Sequence, residues 1–274
     1  STNPIAVGDY VLIQKQDEEK TGSITERLER RNSMVRKSVN LSKETHVVAA
    51  NLDRAFLIAT VVQPATSTGF MDRFLVTAHA YQVPVTIVFN KVDVCAEGTP
   101  ERAQLEYLEA VYELAGIPTL RTSATTGEGL DSLTQELAAS GVNLLSGHSG
   151  VGKSTLINAL LPGTDLRTGE VSDAHQKGKH TTTFAEMFAL STGGFIIDTP
   201  GIKGFGLVHL ERDHLHHYFP EIFRKLDGCK FHNCLHRNEP HCAVKKAVEE
   251  GEIAEERYAN YIELYETFES NSYR

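Results

Sequence analysis

The sequence has 274 residues, 41% hydrophobic and 23% charged, with a net charge of −9 and four cysteines. This composition belongs to folded protein rather than disorder, at a length that suits one large domain or two to three ordinary ones. No apolar run approaches the ~18–20 residues that span a bilayer, no secretory signal opens the chain and the overall acidity excludes a broad nucleic-acid-binding surface, so a cytoplasmic protein without membrane association is expected.

Because the first residue is Ser1, the chain is expected to begin partway through a longer gene product. VGDYVLI (7–13) and GSITERL (22–28) are short β-like runs separated by polar turns, as in part of a small barrel. Between Lys20 and Lys43 seven basic residues face only Glu26 and Glu29. This local positive charge makes Arg30, Arg31, Arg36 and Lys37 candidates for RNA contact despite the acidic total. About 48 residues precede AANLD (49–53), which is short for a complete five-stranded OB-type barrel.

From there strand and helix patterns alternate. AFLIATVV (55–62) is a strand-length apolar run, followed by a helix over 68–80, a strand in PVTIVFN (84–90), a helix over 101–115, a strand in PTLRTSA (118–124) and a helix from Leu130. VNLLS (142–146) is the next strand, then a helix from Lys153 and strands within TTFAEMFAL (182–190) and GFIID (194–198). Such alternation predicts a mainly parallel sheet covered on both faces.

Chemistry-bearing motifs sit at the strand ends. Asn90, Lys91, Val92 and Asp93 spell NKxD: the Asp93 carboxylate can accept from guanine N1–H and its exocyclic amine, which adenine cannot match, while Asn90 braces the loop. Thr122, Ser123 and Ala124 form a second base-contacting loop, with the Ala124 N–H meeting the guanine O6. Gly147, His148, Ser149, Gly150, Val151, Gly152, Lys153, Ser154 and Thr155 spell GHSGVGKST, a phosphate loop between a strand and a helix. Its amides turn toward the β-phosphate, Lys153 bridges β- and γ-phosphates, and Ser154 ligates Mg²⁺. In DTPG (198–201) Asp198 ends a hydrophobic strand as a carboxylate for the outer coordination shell of Mg²⁺, and the Gly201 N–H can reach the γ-phosphate.

Beyond Gly206 the chain becomes histidine-rich, cysteine-bearing and then helical. Residues 243–268 predict two helices with a break at Gly251, and Ile253, Tyr258, Tyr261, Ile262 and Tyr265 recur at helical spacing as a packing stripe. Cys229, Cys234, His236 and Cys242 supply three thiolates and an imidazole, the donor set of a closed, structural Zn²⁺ site; His232 and His241 are near enough in sequence to substitute. His209, His214, His216 and His217 are read as surface or packing residues, and Cys95 stands alone.

The GTPase elements resemble those of translation-factor-type GTPases, but in a rotated order. NKVD and TSA precede GHSGVGKST, HTTT (180–183) and DTPG. Joining the old termini and cutting elsewhere leaves sheet contacts intact, so circular permutation is physically allowed. A permuted GTPase flanked by a small β segment and a Cys/His cluster resembles the bacterial ribosome small subunit-dependent GTPase A family over nearly the whole chain. The resemblance implies an α/β fold with an OB-type β-barrel over 1–48, a circularly permuted GTPase domain over 49–206 and a zinc-binding helical domain over 207–274. It favours His236 as the fourth zinc ligand. It also implies late maturation of the small (30S) ribosomal subunit, contact with its 16S rRNA, GTP hydrolysis stimulated by that subunit, and Mg²⁺ with GTP or GDP in a monomeric protein. One of Thr181, Thr182 and Thr183 is a further Mg²⁺ ligand, with Thr182 assigned. Ile202 stands where Ras-like enzymes place a water-positioning glutamine, so His180 is the candidate for orienting the attacking water. The competing readings are a zinc- and OB-containing RNA-binding module holding guanine nucleotide without turnover, and an ATP-dependent enzyme, against which Asp93 argues.

Overall fold

A computed structural model of the chain describes residues 5–15, 21–37, 45–163, 166, 185–199 and 210–271. His180, Thr181, Thr182, Thr183, Gly201 and Ile202 lie outside the described residues. At the N-terminal end β1 (Val11–Lys15) pairs with β2 (Gly22–Arg27), and β3 (Ser33–Lys37) with β4 (Thr45–Ala50), both antiparallel. The first pair leaves Leu12, Ile13 and Ile24 exposed, whereas the second buries Met34, Ala49 and Ala50 against the rest of the protein. β3 and β4 were not expected from the sequence; Arg36 and Lys37 interrupt the apolar pattern of β3.

Arg30 is taken up internally, its Nε and Nη2 donating to the Asp9 carboxylate at 2.6 and 2.7 Å. Arg31 donates through Nη2 to the carbonyls of Asn51 and Leu52 and to Asp53. These bonds orient both side chains, and that of Arg31 stays 60% exposed. Arg30 fastens the β3 entry to the segment before β1, and Arg31 fastens it to the segment that leads into the central sheet.

That sheet has the order β7-β6-β5-β8-β10-β9. It is built from β5 (Arg54–Ala59), β6 (Val85–Phe89), β7 (Thr119–Arg121), β8 (Val142–Ser146), β9 (Glu186–Ala189) and β10 (Phe195–Asp198). All neighbours are parallel except β9, which runs antiparallel at the edge. β6 is buried along its whole length and β5 nearly so, as strands covered on both faces must be. Side chains alternate between two cores: Ala55, Leu57 and Ala59 face one, Phe56 and Ile58 the other.

The first face is covered by α1 (Thr68–Ala80) and α2 (Pro100–Ala115), the second by α3 (Leu130–Ser140) and α4 (Lys153–Leu160). Local chemistry sets the helix starts. Ser67 caps α1 by accepting from the Phe70 N–H, and Thr99 caps α2 with Pro100 at its first turn. β5 stops at Ala59, short of the expected run, because the Thr60 N–H is taken by the Thr66 side chain and the chain turns away from the ladder.

A third core gathers a 3-10 segment (Arg212–Tyr218), α5 (Pro220–Phe223), α6 (Ala243–Glu249) and α7 (Glu255–Asn271). Ile253, Tyr261 and Tyr265 are buried there, with Tyr258 and Ile262 half-buried beside them. Val76 of α1 belongs to this core too, so α1 has the sheet on one side and the C-terminal helices on the other. Among the described residues no helix is long and apolar enough to cross a membrane.

Candidate functional site

Three parallel strands bring their carboxyl ends to the same end of the sheet, with β5 between the first two: β6 delivers NKVD, β8 delivers the glycine-rich loop and β10 delivers Asp198. Ligand sites of open α/β sheets lie outside the carboxyl ends of strands, where these loops meet. A groove of 620 Å³ lined by Asp53, Arg54, Glu136 and Ser140 lies by the beginning of β5 and includes none of these motifs.

Sterics dictate the glycine-rich loop. A side chain at Gly147 would meet the Ile58 carbonyl oxygen at 2.6 Å. Gly152 has φ +85°, and a side chain there would meet the Asn90 amide at 2.7 Å. Only glycine lets the loop pass this close to β5 and to NKVD. Val151 is buried and anchors the loop in the second core, while Ser149 and Gly150 are exposed. Lys153 is 8% exposed and its ammonium forms an ion pair with the Asp198 carboxylate. The two residues expected to handle phosphate and Mg²⁺ thus share one place, with Ser154 half-buried and Thr155 exposed on the first turn of α4.

The guanine motif is locked onto this loop. Asn90 is buried; its Nδ2 donates to the Val151 carbonyl at 2.8 Å, and its Oδ1 accepts from the Thr122 hydroxyl at 3.2 Å. One amide therefore joins the NKVD, GHSGVGKS and TSA loops. Lys91 adopts φ +62°, uncommon for a residue with a side chain, and its Nζ donates to the carbonyls of Gly150 at 2.8 Å and Gln63 at 2.6 Å. Asp93 sits exposed in the 3-10 turn Val92–Val94, where its carboxylate is open to a ligand. Ser123 is fully buried; its Oγ accepts from the Thr126 N–H and its own N–H donates to the Glu128 carbonyl, a turn that leaves Ala124 half-exposed.

Sequence reasoning missed one wall of the site, the loop from Thr60 to Ser67. Thr66 Oγ1 lies at hydrogen-bond distance, 2.8 Å, from His148 Nε2, while His148 Nδ1–H donates to the Ser149 carbonyl at 3.0 Å. Phe70 meets the same imidazole edge-on at 5.5 Å. Pro64 packs where a side chain on Gly150 would project. The only sequence signal was a polar, proline-bearing break after an apolar strand, which marks a loop without saying what it touches.

A second constellation lies in the C-terminal core. The sulfurs of Cys229, Cys234 and Cys242 and a ring nitrogen of His236 all lie within 4.8 Å of one another. His236 Nδ1 is 3.6 Å from Cys229 Sγ and 3.4 Å from Cys242 Sγ. Tetrahedral Zn²⁺ with Zn–S of ~2.3 Å and Zn–N of ~2.0–2.1 Å places N and S ligands about 3.5 Å apart, so the donor set fits. His232 and His241 are exposed and outside the cluster, which decides the fourth donor among the described residues.

Burial pushes the Cys234 thiol up to about 12 and raises Cys242, and it lowers both His236 and His216 to about 4. A divalent cation held there would ionise the Cys234 and Cys242 thiols. The turn carrying the ligands is itself braced. Glu239 accepts from the N–H groups of Leu235 and Arg237; burial works against its charge, but these hydrogen bonds prevail and hold its carboxyl below the usual range. Tyr258 and Tyr261 donate their hydroxyls to the His236 and Leu235 carbonyls.

Comparisons with known proteins agree with this arrangement. The family model of the RsgA GTPase matches residues 27–208. A protein of Bacteroides fragilis named small ribosomal subunit biogenesis GTPase RsgA is 53% identical over 274 residues, covering 100% of this chain and 87% of its own length. One of the same name from Christiangramia forsetii is 50% identical, covering 99% and 86%. Among solved structures, YjeQ from Thermotoga maritima superposes with a TM-score of 0.78 at 37% identity, covering 96% of this chain and 84% of its own. YloQ, described as a circularly permuted GTPase, superposes with a TM-score of 0.74 at 28% identity, covering 97% and 82%. With its guanine motif ahead of its phosphate loop and both at one end of the sheet, the chain belongs to the RsgA GTPase family of circularly permuted, GTP-hydrolysing enzymes.

Proposed function

We propose that this GTPase acts in biogenesis of the small (30S) ribosomal subunit in the cytoplasm, with hydrolysis of GTP to GDP and phosphate stimulated by that subunit and used as a switch late in its maturation. The observation that supports a guanine-nucleotide site most directly is the Asn90 side chain, which ties the base-reading loop to the phosphate loop through the Val151 carbonyl. One nucleotide bound at both loops would have its base at Asp93 and its phosphates at Lys153.

In this reading Asp93 accepts from guanine N1–H and the exocyclic amine, the Ala124 N–H meets O6, and Lys91 covers one face of the base. The amides from His148 to Thr155 cradle the phosphates, Lys153 neutralises charge developing on the transferred phosphoryl group, and Mg²⁺ is held by Ser154, Thr182 and the Asp198 carboxylate. Gly201 serves the γ-phosphate and His180 orients water. Zn²⁺ on Cys229, Cys234, His236 and Cys242 is structural, since four protein ligands leave no position for substrate. Contact with 16S rRNA draws on Arg30, Arg31, Arg36 and Lys37, of which Arg31 keeps its side chain 60% exposed while bonded to Asp53.

The test is phosphate release from GTP with and without 30S subunits. Stimulation by subunits is expected; equal turnover in both conditions removes the switch from the proposal. Asp93→Asn should lower GTP affinity by about 10²-fold, the loss expected for a charged hydrogen-bonding partner, and favour xanthosine triphosphate, whose C2 carbonyl accepts from the new amide. Unchanged preference for GTP would refute the role of Asp93. His180→Ala with an unaltered stimulated rate would take His180 out of the mechanism.

A further inference from the structure

His216, on the 3-10 segment Arg212–Tyr218, meets the ring of His236 edge to face, with centroids 5.3 Å apart and planes at 81°. Among the described residues each ring carries one buried nitrogen with no hydrogen-bond partner: Nδ1 on His216 and Nε2 on His236. Two orphaned nitrogens on touching rings are unusual, because buried polar atoms are nearly always satisfied.

The metal cluster supplies the reason. His236 presents Nδ1 to the sulfurs of Cys229 and Cys242, so a cation held by these four donors is bound through Nδ1. A neutral imidazole with metal on Nδ1 carries its proton on Nε2, and that buried N–H requires an acceptor. Metal-bound histidines ordinarily donate this proton to a carboxylate or a backbone carbonyl, yet among the described residues no such group is bonded to His236 Nε2.

We propose that His216 is the outer partner of the zinc ligand: His236 Nε2–H donates to His216 Nδ1, which fixes His216 with its own proton on Nε2. The bond requires the touching rings to turn about their Cβ–Cγ torsions, which are soft in histidine. This hydrogen bond fastens the ligand turn to the stretch of chain that follows the DTPG motif, giving His216 a positioning role where the sequence suggested only packing. The inference rests on the zinc reading above.

Metal content of the purified wild-type protein is measured first, then zinc affinity by chelator competition on the full-length, metal-loaded chain for wild type, His216→Phe and His216→Asn. Phenylalanine retains the aromatic contact and removes the acceptor, whereas asparagine restores an acceptor oxygen. His216→Phe is expected to weaken zinc binding about 10- to 100-fold, the usual effect of losing such a partner, with His216→Asn closer to wild type. Wild-type affinity in His216→Phe, or equal weakening in both variants, overturns the hydrogen bond. Nitrogen-15 spectra of the wild-type protein give an independent reading that does not depend on a variant folding: His216 protonated on Nδ1 also overturns it. Absence of any bound metal in the wild type defeats the zinc reading itself, an outcome visible before any variant is compared.

Discussion

The amide of Asn90 serves two loops at once, its nitrogen bonded to Val151 and its oxygen to Thr122. Replacing it with alanine leaves a buried carbonyl and a buried hydroxyl without their partner, a change that costs about 1–3 kcal/mol for each group so stranded. Asn90→Ala is therefore expected to lower stability in urea unfolding by roughly that amount and to weaken binding of a fluorescent guanine nucleotide, because two loops lose their common brace. Lys153→Ala has a different signature. Its ammonium contributes charge to the reacting phosphates, so hydrolysis should fall on the order of 10²–10³-fold in a phosphate-release assay. The fold would lose only one ion pair at that end of the sheet.

Among the elements, α1 carries the most responsibility for joining the parts. Met71, Phe74 and Leu75 face the sheet while Val76 faces the C-terminal helices. On the same helix Phe70 touches His148 of the phosphate loop. Asp72, fully buried, accepts from Arg257 at 2.5 Å, Asn260 at 2.7 Å and Tyr112 at 3.0 Å. Burial raises the Asp72 carboxyl above its usual range, and Arg257 only partly offsets it. For Arg257 itself burial works against the charge, but the carboxylates of Asp72 and Glu221 prevail and raise it. Two carboxylates on one guanidinium leave the cluster dependent on that cation. Arg257→Met should therefore destabilise the protein by about 3–5 kcal/mol in denaturant unfolding, the usual cost of breaking a buried pair from one side.

His79 gives α1 a pH dependence. Burial, chiefly, lowers its affinity for protons, with Nδ1 bonded to the Tyr218 carbonyl. A folded-state value below the unfolded one, ~6.5, means that acid favours the unfolded chain. Stability should decline as pH falls from about 6.5 toward the depressed folded value, and His79→Asn should show a shallower decline by thermal unfolding over the same range.

At the scale of the whole molecule, the C-terminal core includes the candidate metal ligands beside its apolar residues. Cys234 and Cys242 are members of that core together with Leu215, Phe219 and Tyr261. Chelation of bound metal should lower the melting temperature and expose Cys229, Cys234 and Cys242 to thiol reagents, while Cys95, buried against the sheet, stays protected. Because burial holds Cys234 near 12 and raises Cys242, zinc binding at neutral pH must expel thiol protons. Calorimetry in buffers of different ionisation enthalpy should register that release, and metal affinity should increase with pH.

By itself the sequence determined the chemistry and the order of the parts. NKVD, TSA, GHSGVGKS and DTPG each combine residue types whose local backbone demands and functional groups are legible over a few positions, and so is the thiol and imidazole spacing of the metal cluster. The alternation of strands and helices, and hence the parallel sheet, follows from the same short-range periodicity. Tertiary structure alone decided which groups meet across long stretches of chain. The Asp72–Arg257 contact closes 185 positions, and the Thr66 bond to His148 closes 82. Neither has a local signature, since a buried carboxylate and a solvated one look the same until packing removes the water. The choice of His236 over His232 and His241, and the capture of Arg30 by Asp9, have the same cause: which polar group finds a partner depends on the folding of the backbone around it, and residue identity does not encode that one position at a time.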